Sequence, residues 1–187
     1  MSNVKVDMEI DAQGDLIDVI YYHGYCAPDG AENYPAPESL DYLVYCKVCG
    51  DWIEEIPLTD DGAQQLLEDK FFAAYVDCAL WSSHDEDADG APLDRDFTGR
   101  DIDVDALARM YADCRDFWTA NREDLKDIDS DQAGHDFWLT RNHHGAGFWD
   151  RGLGEIGQRL TDAAHVYGES NLYSYRAHNG QRKLNLG

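Results

Sequence analysis

Basic residues are scarce in this chain. Fifteen lysines and arginines stand against 38 aspartates and glutamates, for a formal net charge of −23 over 187 residues, and only five of the bases are lysine. A field of that sign repels nucleic acid and anionic membrane and attracts basic protein surfaces. Direct nucleic-acid binding and membrane association are therefore not expected. Long apolar runs are missing too: none approaches the ~18 residues that a membrane-crossing helix requires. The first ten residues, MSNVKVDMEI, alternate apolar and polar and lack the apolar block of a signal peptide. Cysteines number five, an odd count that argues against a disulfide framework. A cytoplasmic, reducing compartment is the expected setting.

What remains is ample for folding. Hydrophobic residues make up 43% of the chain and aromatics 12%, enough for a core despite the charge. The charge is unevenly spread. Residues 1–60 hold 13 acids and 2 bases, residues 61–131 hold 20 and 7, and residues 132–187 hold 5 and 6. Most of the acids are aspartate, a bias that a GC-rich genome or a salt-adapted proteome would also produce. Charge thus restricts the class of partner and names no reaction.

The hydrophobic patterning predicts an α+β chain in two parts: a zinc-stabilised β module over 1–58 and a mostly helical acidic domain over 59–187 that ends in a β-hairpin. Residues 4–10 alternate with period two, Asp15 to Tyr22 reads as a second strand, and the turn-like Ala12-Gln13-Gly14 joins them. Residues 27–38 hold three prolines and read as loop. Leu40 to Tyr45 and Asp51 to Leu58 read as two more strands. A helix is expected from a Thr59 cap through Trp81, with Leu66, Leu67, Phe71, Ala74, Cys78 and Trp81 as its buried stripe. An acidic loop over 84–101 follows, then a helix over about 103–122 whose stripe is Val104, Leu107, Tyr111, Cys114 and Trp118. Shorter helices are expected over 131–139 and 155–167, the second ending at a left-handed Gly168. Asn179-Gly180 between alternating runs signals the closing hairpin.

The strongest chemical signal is His23-x2-Cys26, then 19 residues, then Cys46-x2-Cys49-Gly50. A two-residue gap lets two side chains from one tight turn reach a single ion, and the glycine lets backbone amides turn towards the thiolates. Two such turns at strand ends make a closed Cys3His site for structural zinc. A module of this size buries little by itself and needs such a staple. Nucleic-acid-binding ribbons carry bases around their knuckles, whereas here only Lys5 and Lys47 oppose the 13 acids of residues 1–60. The module therefore reads as a scaffold or a protein-docking surface.

Two further stretches carry candidate chemistry. Asp85, Asp87 and Asp89 alternate before Gly90, with Asp96 in the twelfth position, which matches part of an EF-hand calcium loop. In an aspartate-rich chain the same spacing arises readily in a solvated acidic loop. Residues 133–154 concentrate His135, His143, His144 and Asp150 among glycines, with Asp136, Arg141, Arg151 and two Phe-Trp pairs. Histidine and carboxylate near glycines make His135, His143, His144 and Asp150 candidates for acid–base or metal-assisted catalysis. The competing reading is structural: Phe137, Trp138, Phe148 and Trp149 anchor the loop, and the two arginines bond carboxylates and carbonyls. The absence of triad spacing, phosphate loop and zinc-protease motif favours the structural reading. Cys78 and Cys114 fall on apolar helix faces and read as core.

From about Phe71 onward the chain resembles a family of small phage and prophage proteins. The matching residues are Ala79-Leu80-Trp81-Ser82-Ser83, Pro92-Leu93-Asp94, Ala112-Asp113-Cys114, and above all Gly134-His135-Asp136-Phe137-Trp138-Leu139-Thr140-Arg141-Asn142 with His144-Gly145-Ala146-Gly147-Phe148-Trp149-Asp150-Arg151-Gly152. The family usually has glycine where this chain has His143. The resemblance implies phage origin, hence the host cytosol, and a compact domain; it implies no mechanism. The expected function is an acidic accessory protein that binds a basic surface of a host protein, as a nucleic-acid mimic facing a host or defence enzyme. The alternatives are an enzyme built on His135, His143, His144 and Asp150, and a virion or assembly component.

Overall fold

Period-two alternation near the N-terminus builds two antiparallel strands, β1 (Val4–Ile10) and β2 (Leu16–His23), with Val4 opposite His23 and a register shift between Glu9 and Ile10. The structure is a computed structural model that describes residues 4–10, 16–23, 60–85 and 89–187. The strands expected at 40–45 and 51–58, and Cys26, Cys46 and Cys49 of the zinc motif, lie outside the described residues. The chain divides between Ala63 and Gln64 into two units, with the boundary inside helix α1 (Asp60–Leu66).

The second unit is a helical cluster with short antiparallel hairpins. Helix α2 (Lys70–Ser82) leads into the two-residue strands β3 (His84–Asp85) and β4 (Ala91–Pro92). Single 3-10 turns at Leu93–Arg95 and Gly99–Asp101 connect to α3 (Val104–Ala120) and the single turn α4 (Arg122–Leu125). Helices α5 (Ser130–Arg141) and α6 (Glu155–His165) flank another 3-10 turn at Phe148–Asp150. Strands β5 (Leu172–Arg176) and β6 (Arg182–Leu186) close the chain as a hairpin.

The helix expected to run unbroken to Trp81 is interrupted. Asp69 is extended (φ −70°, ψ 119°) and its carboxylate accepts the Phe72 amide at 2.9 Å. Aspartate satisfies an orphan amide at a helix start better than it serves a helix interior. The restarted helix buries more than the expected stripe, but not its last member. Phe71, Phe72, Tyr75, Val76, Cys78, Ala79 and Leu80 are buried, whereas Trp81, expected in the buried stripe, is 45% exposed. The stripe of α3 differs in the same way: Leu107 and Cys114 are buried as expected, Phe117 and Met110 join them, and Val104, Tyr111 and Trp118 are half-buried.

Aromatic rings fill the core. Phe137 of α5 stacks on Phe117 of α3 with centroids 4.1 Å apart, and Phe148 lies 5.7 Å from Phe117. Trp138 meets Tyr75 edge-on at 5.1 Å, and its indole Nε1 donates to the Ser82 hydroxyl at 2.8 Å. Offset and edge-on geometries suit the ring quadrupoles. Helices α2 and α5 approach unusually closely because Gly134 faces α2: a Cβ there would sit 2.1 Å from the Phe71 carbonyl oxygen.

The closing hairpin turns through three residues. The Ala177 amide donates to the Gln181 carbonyl, the Gly180 amide donates to Ala177, and Gly180 is left-handed (φ +83°). This is the longer loop in which only the glycine is left-handed, not the two-residue turn that Asn-Gly most often makes. Leu172 and Leu184 bury the inner face, and Leu184 pairs in parallel with Ile102. Among the described residues no helix is long and apolar enough to cross a membrane.

Candidate binding cleft

Most of the polar chemistry in 133–154 is consumed inside the fold. Asp136 is fully buried and accepts from Nε and Nη2 of the Arg151 guanidinium, with N–O distances of 2.6–2.9 Å, and Gln132 donates to it at 3.0 Å. The hydrogen bond to Asp136 raises Arg151 above its ordinary pKa. Arg141 donates to the Tyr75 hydroxyl, the Asp113 carboxylate and the carbonyls of Tyr167 and Gly168. Burial lowers its pKa, but Tyr75 and Asp113 outweigh that and the net shift is upward. A permanent cation on the carbonyls that follow α6 also complements the negative end of that helix. Burial pushes the Cys78 thiol up to about 12 and Cys114 well above its usual range, so both behave as core residues and not as nucleophiles.

The four candidate residues of this stretch do not share one cavity. His143 is the C′ residue of α5: its amide donates to the Thr140 carbonyl, the His144 amide donates to Leu139, and His143 is left-handed (φ +53°). That pattern is a Schellman cap, whose C′ position glycine usually fills because it has no Cβ to clash. The His143 ring stands 4.4 Å from that of His165 on α6. His144, just beyond the cap, lines a cavity of about 680 Å³ with Ser82, Ser83, His84, Tyr173 and neighbouring β5 residues. His135 lines a different cleft on α5, and Asp150 is exposed in the 148–150 turn. Phe137, Trp138 and Phe148 are buried, whereas Trp149 is 42% exposed.

The calcium spacing is held by arginines at both ends. Asp85 is buried; its carboxylate accepts from Ser174 and pairs with Arg182 of β6. Asp96 pairs with Arg95 at 2.7 Å, which lowers its pKa. Asp89 is left-handed (φ +55°) and exposed, and Asp87 lies outside the described residues. Among the described residues no three histidines, cysteines or carboxylates are arranged to hold a metal ion. His23 of the zinc motif is the last residue of β2.

A second cleft, of about 570 Å³, lies between α2 and the start of α5. Its α2 wall is built from Lys70, Ala73, Ala74 and Asp77, one face of the helix at three- and four-residue spacing. Its other wall carries Asp129, Asp131, Gln132 and His135, and Leu67 and Glu68 close one end. The Asp129 carboxylate caps α5 by accepting the amides of Asp131 and Gln132 at 3.1 Å. One turn beyond Asp77, the exposed Trp81 ring lies 6.4 Å from the His135 ring. Four carboxylates against one lysine make the cleft anionic, two alanines keep its α2 wall low, and the Trp81 indole stands beside His135, one of its lining residues. The sequence reading missed this surface because it placed Trp81 inside. The available signal was the spacing Ala73, Ala74, Asp77, Trp81, which follows one helical face.

No protein-family model, curated protein or solved structure matches the chain.

Proposed function

We propose that this chain is an acidic accessory protein of phage type that binds a basic surface of a host protein, as a nucleic-acid mimic directed at a host or defence enzyme. One observation carries the reading: five arginines of the 64–187 unit are neutralised by carboxylates within it, whereas many of its acids face solvent. Arg95, Arg141, Arg151, Arg159 and Arg182 each pair with a carboxylate. Glu68, Asp77, Asp105, Asp127, Asp131 and Glu169 are exposed. Carboxylates held on helices can meet a groove that evolved to receive phosphates. The enzymatic alternative draws less from the geometry, because His135, His143 and His144 stand at three different places.

The test is capture of host proteins on the immobilised full chain, with salt steps and a duplex-DNA competitor. Exposed charges are screened over about 8–10 Å at 0.1–0.15 M salt, so the complex should weaken steeply above that range and DNA should displace it. Measurable affinity of the chain itself for duplex DNA at physiological salt, or a complex indifferent to salt, would sink the mimic.

We further propose that His23, Cys26, Cys46 and Cys49 hold one structural zinc. A closed site of this kind contributes folding free energy. Protein purified without chelator should therefore contain about one zinc per chain by elemental analysis, and strong chelation should unfold residues 1–58. Metal-free protein that is already folded there would end the idea.

A further inference from the structure

We propose that the α2–α5 cleft is a docking groove for an extended, arginine-bearing segment of the partner protein, with Trp81 as the platform for one guanidinium. The inference rests on the acidic-accessory reading and gives it an address.

Three independent features converge there. The first is shape: Ala73 and Ala74 are half-buried and small, leaving a trough between the helices that a long aliphatic stem can enter. The second is charge: Asp77 on α2 and Asp131 on α5 are exposed on opposite walls of the trough. A guanidinium presents its donors in a planar fork that matches a carboxylate bidentately. The third is the exposed Trp81 indole, one helical turn past Asp77 and beside the ring of His135, which lines the trough. A cation over the face of tryptophan is attracted by the ring quadrupole, and arginine is the more frequent partner because its plane also stacks.

The dimensions limit the occupant. From Lys70 to Trp81 the axis of α2 rises about 16 Å at ~1.5 Å per residue. An extended chain covers that distance in about five residues. Lys70 stands at the end remote from Trp81, so the cationic end of the segment belongs over Asp77 and Trp81. The close approach at Gly134 is what holds the two walls together.

The experiment titrates two seven-residue peptides, identical except for arginines or lysines at two positions, into the full chain at ~0.15 M salt, where distant surface charges are screened. Binding is read by calorimetry and by the indole N–H resonance of Trp81, assigned with Trp81→Phe. The arginine peptide should bind more tightly than the lysine peptide and shift the Trp81 signal. Trp81→Ala and Asp77→Asn should each weaken it about tenfold, the size of a desolvated cation–π or charged hydrogen bond. Asp105→Asn removes the same charge from the exposed face of α3 and should leave binding within about twofold. If Asp105→Asn weakens binding as much as Asp77→Asn, the attraction is diffuse and the groove is overturned, though the acidic-accessory reading stands. If neither peptide binds, the groove is overturned as well, and the salt-sensitive host complex decides the wider reading separately.

Discussion

Gly134→Ala is expected to destabilise the 64–187 unit by about 3 kcal/mol or more, at the upper end of what overpacking a tight core costs. The sign is informative because local propensity points the other way. Glycine inside a helix is about 1 kcal/mol worse than alanine, so an isolated α5 would gain from the change. In the folded chain the added Cβ would lie 2.1 Å from the Phe71 carbonyl oxygen, 3.0 Å from its carbonyl carbon and 3.1 Å from the Tyr75 amide nitrogen. These are backbone atoms of α2 and cannot swing aside as a side-chain tip can. The helices must separate, which would also loosen the stack of Phe71, Phe117 and Phe137. Urea unfolding followed by helical circular dichroism measures the loss. Unchanged or increased stability would show that the helices do not cross at this glycine.

Trp138→Ala should cost about 3–5 kcal/mol, the usual range for truncating a buried aromatic. Trp138 is 1% exposed, packs edge-on against Tyr75, and donates to Ser82. The Ser82 hydroxyl in turn donates to the Cys78 carbonyl at 2.7 Å, so the indole joins α5 to the last turn of α2. Truncation opens a cavity and removes that hydrogen bond together. His144→Ala is the matched control: His144 is exposed beyond the Schellman cap, and its loss should fall within about 0.5 kcal/mol, as surface changes usually do. Equal losses for the two variants would contradict the assignment of Trp138 to the core. If His144→Ala instead abolished an activity while leaving the fold intact, the enzymatic alternative would return.

Much of this architecture was legible where the pattern is local. The β1–β2 hairpin, α3, α5, α6 and the closing hairpin fall within a few residues of where periodicity and turn chemistry put them. The anchoring role of the Phe-Trp pairs was legible for Phe137, Trp138 and Phe148, because large aromatics between polar residues have few places to go but inward. Trp149 and Trp81 went the other way. A tryptophan at the edge of an apolar face is buried or exposed according to what packs over that edge, and α2 buries Phe71 and Cys78 of the expected stripe but leaves Trp81 outside. The acidic loop over 84–101 hid two buried residues, Leu93 and Phe97, and a carboxylate, Asp85, that serves the fold from inside.

The sequence by itself determined the quantities that do not depend on how distant segments meet: a net charge of −23, two strands at the N-terminus, the order of helices, and the glycine and aspartate positions where the backbone must turn or be capped. It also determined that few cations exist to neutralise the acids. Only the tertiary structure decided which acids those cations reach. Asp85 and Arg182 are 97 residues apart, and Asp113 and Arg141 are 28 apart. The same is true of the cleft. Asp77 and Asp131 line one trough because a glycine on α5 faces a backbone carbonyl on α2, and no periodicity within either helix encodes that meeting. Charge is a sum over residues and survives any arrangement of them. A binding surface is a relation between residues and exists only once the helices have packed.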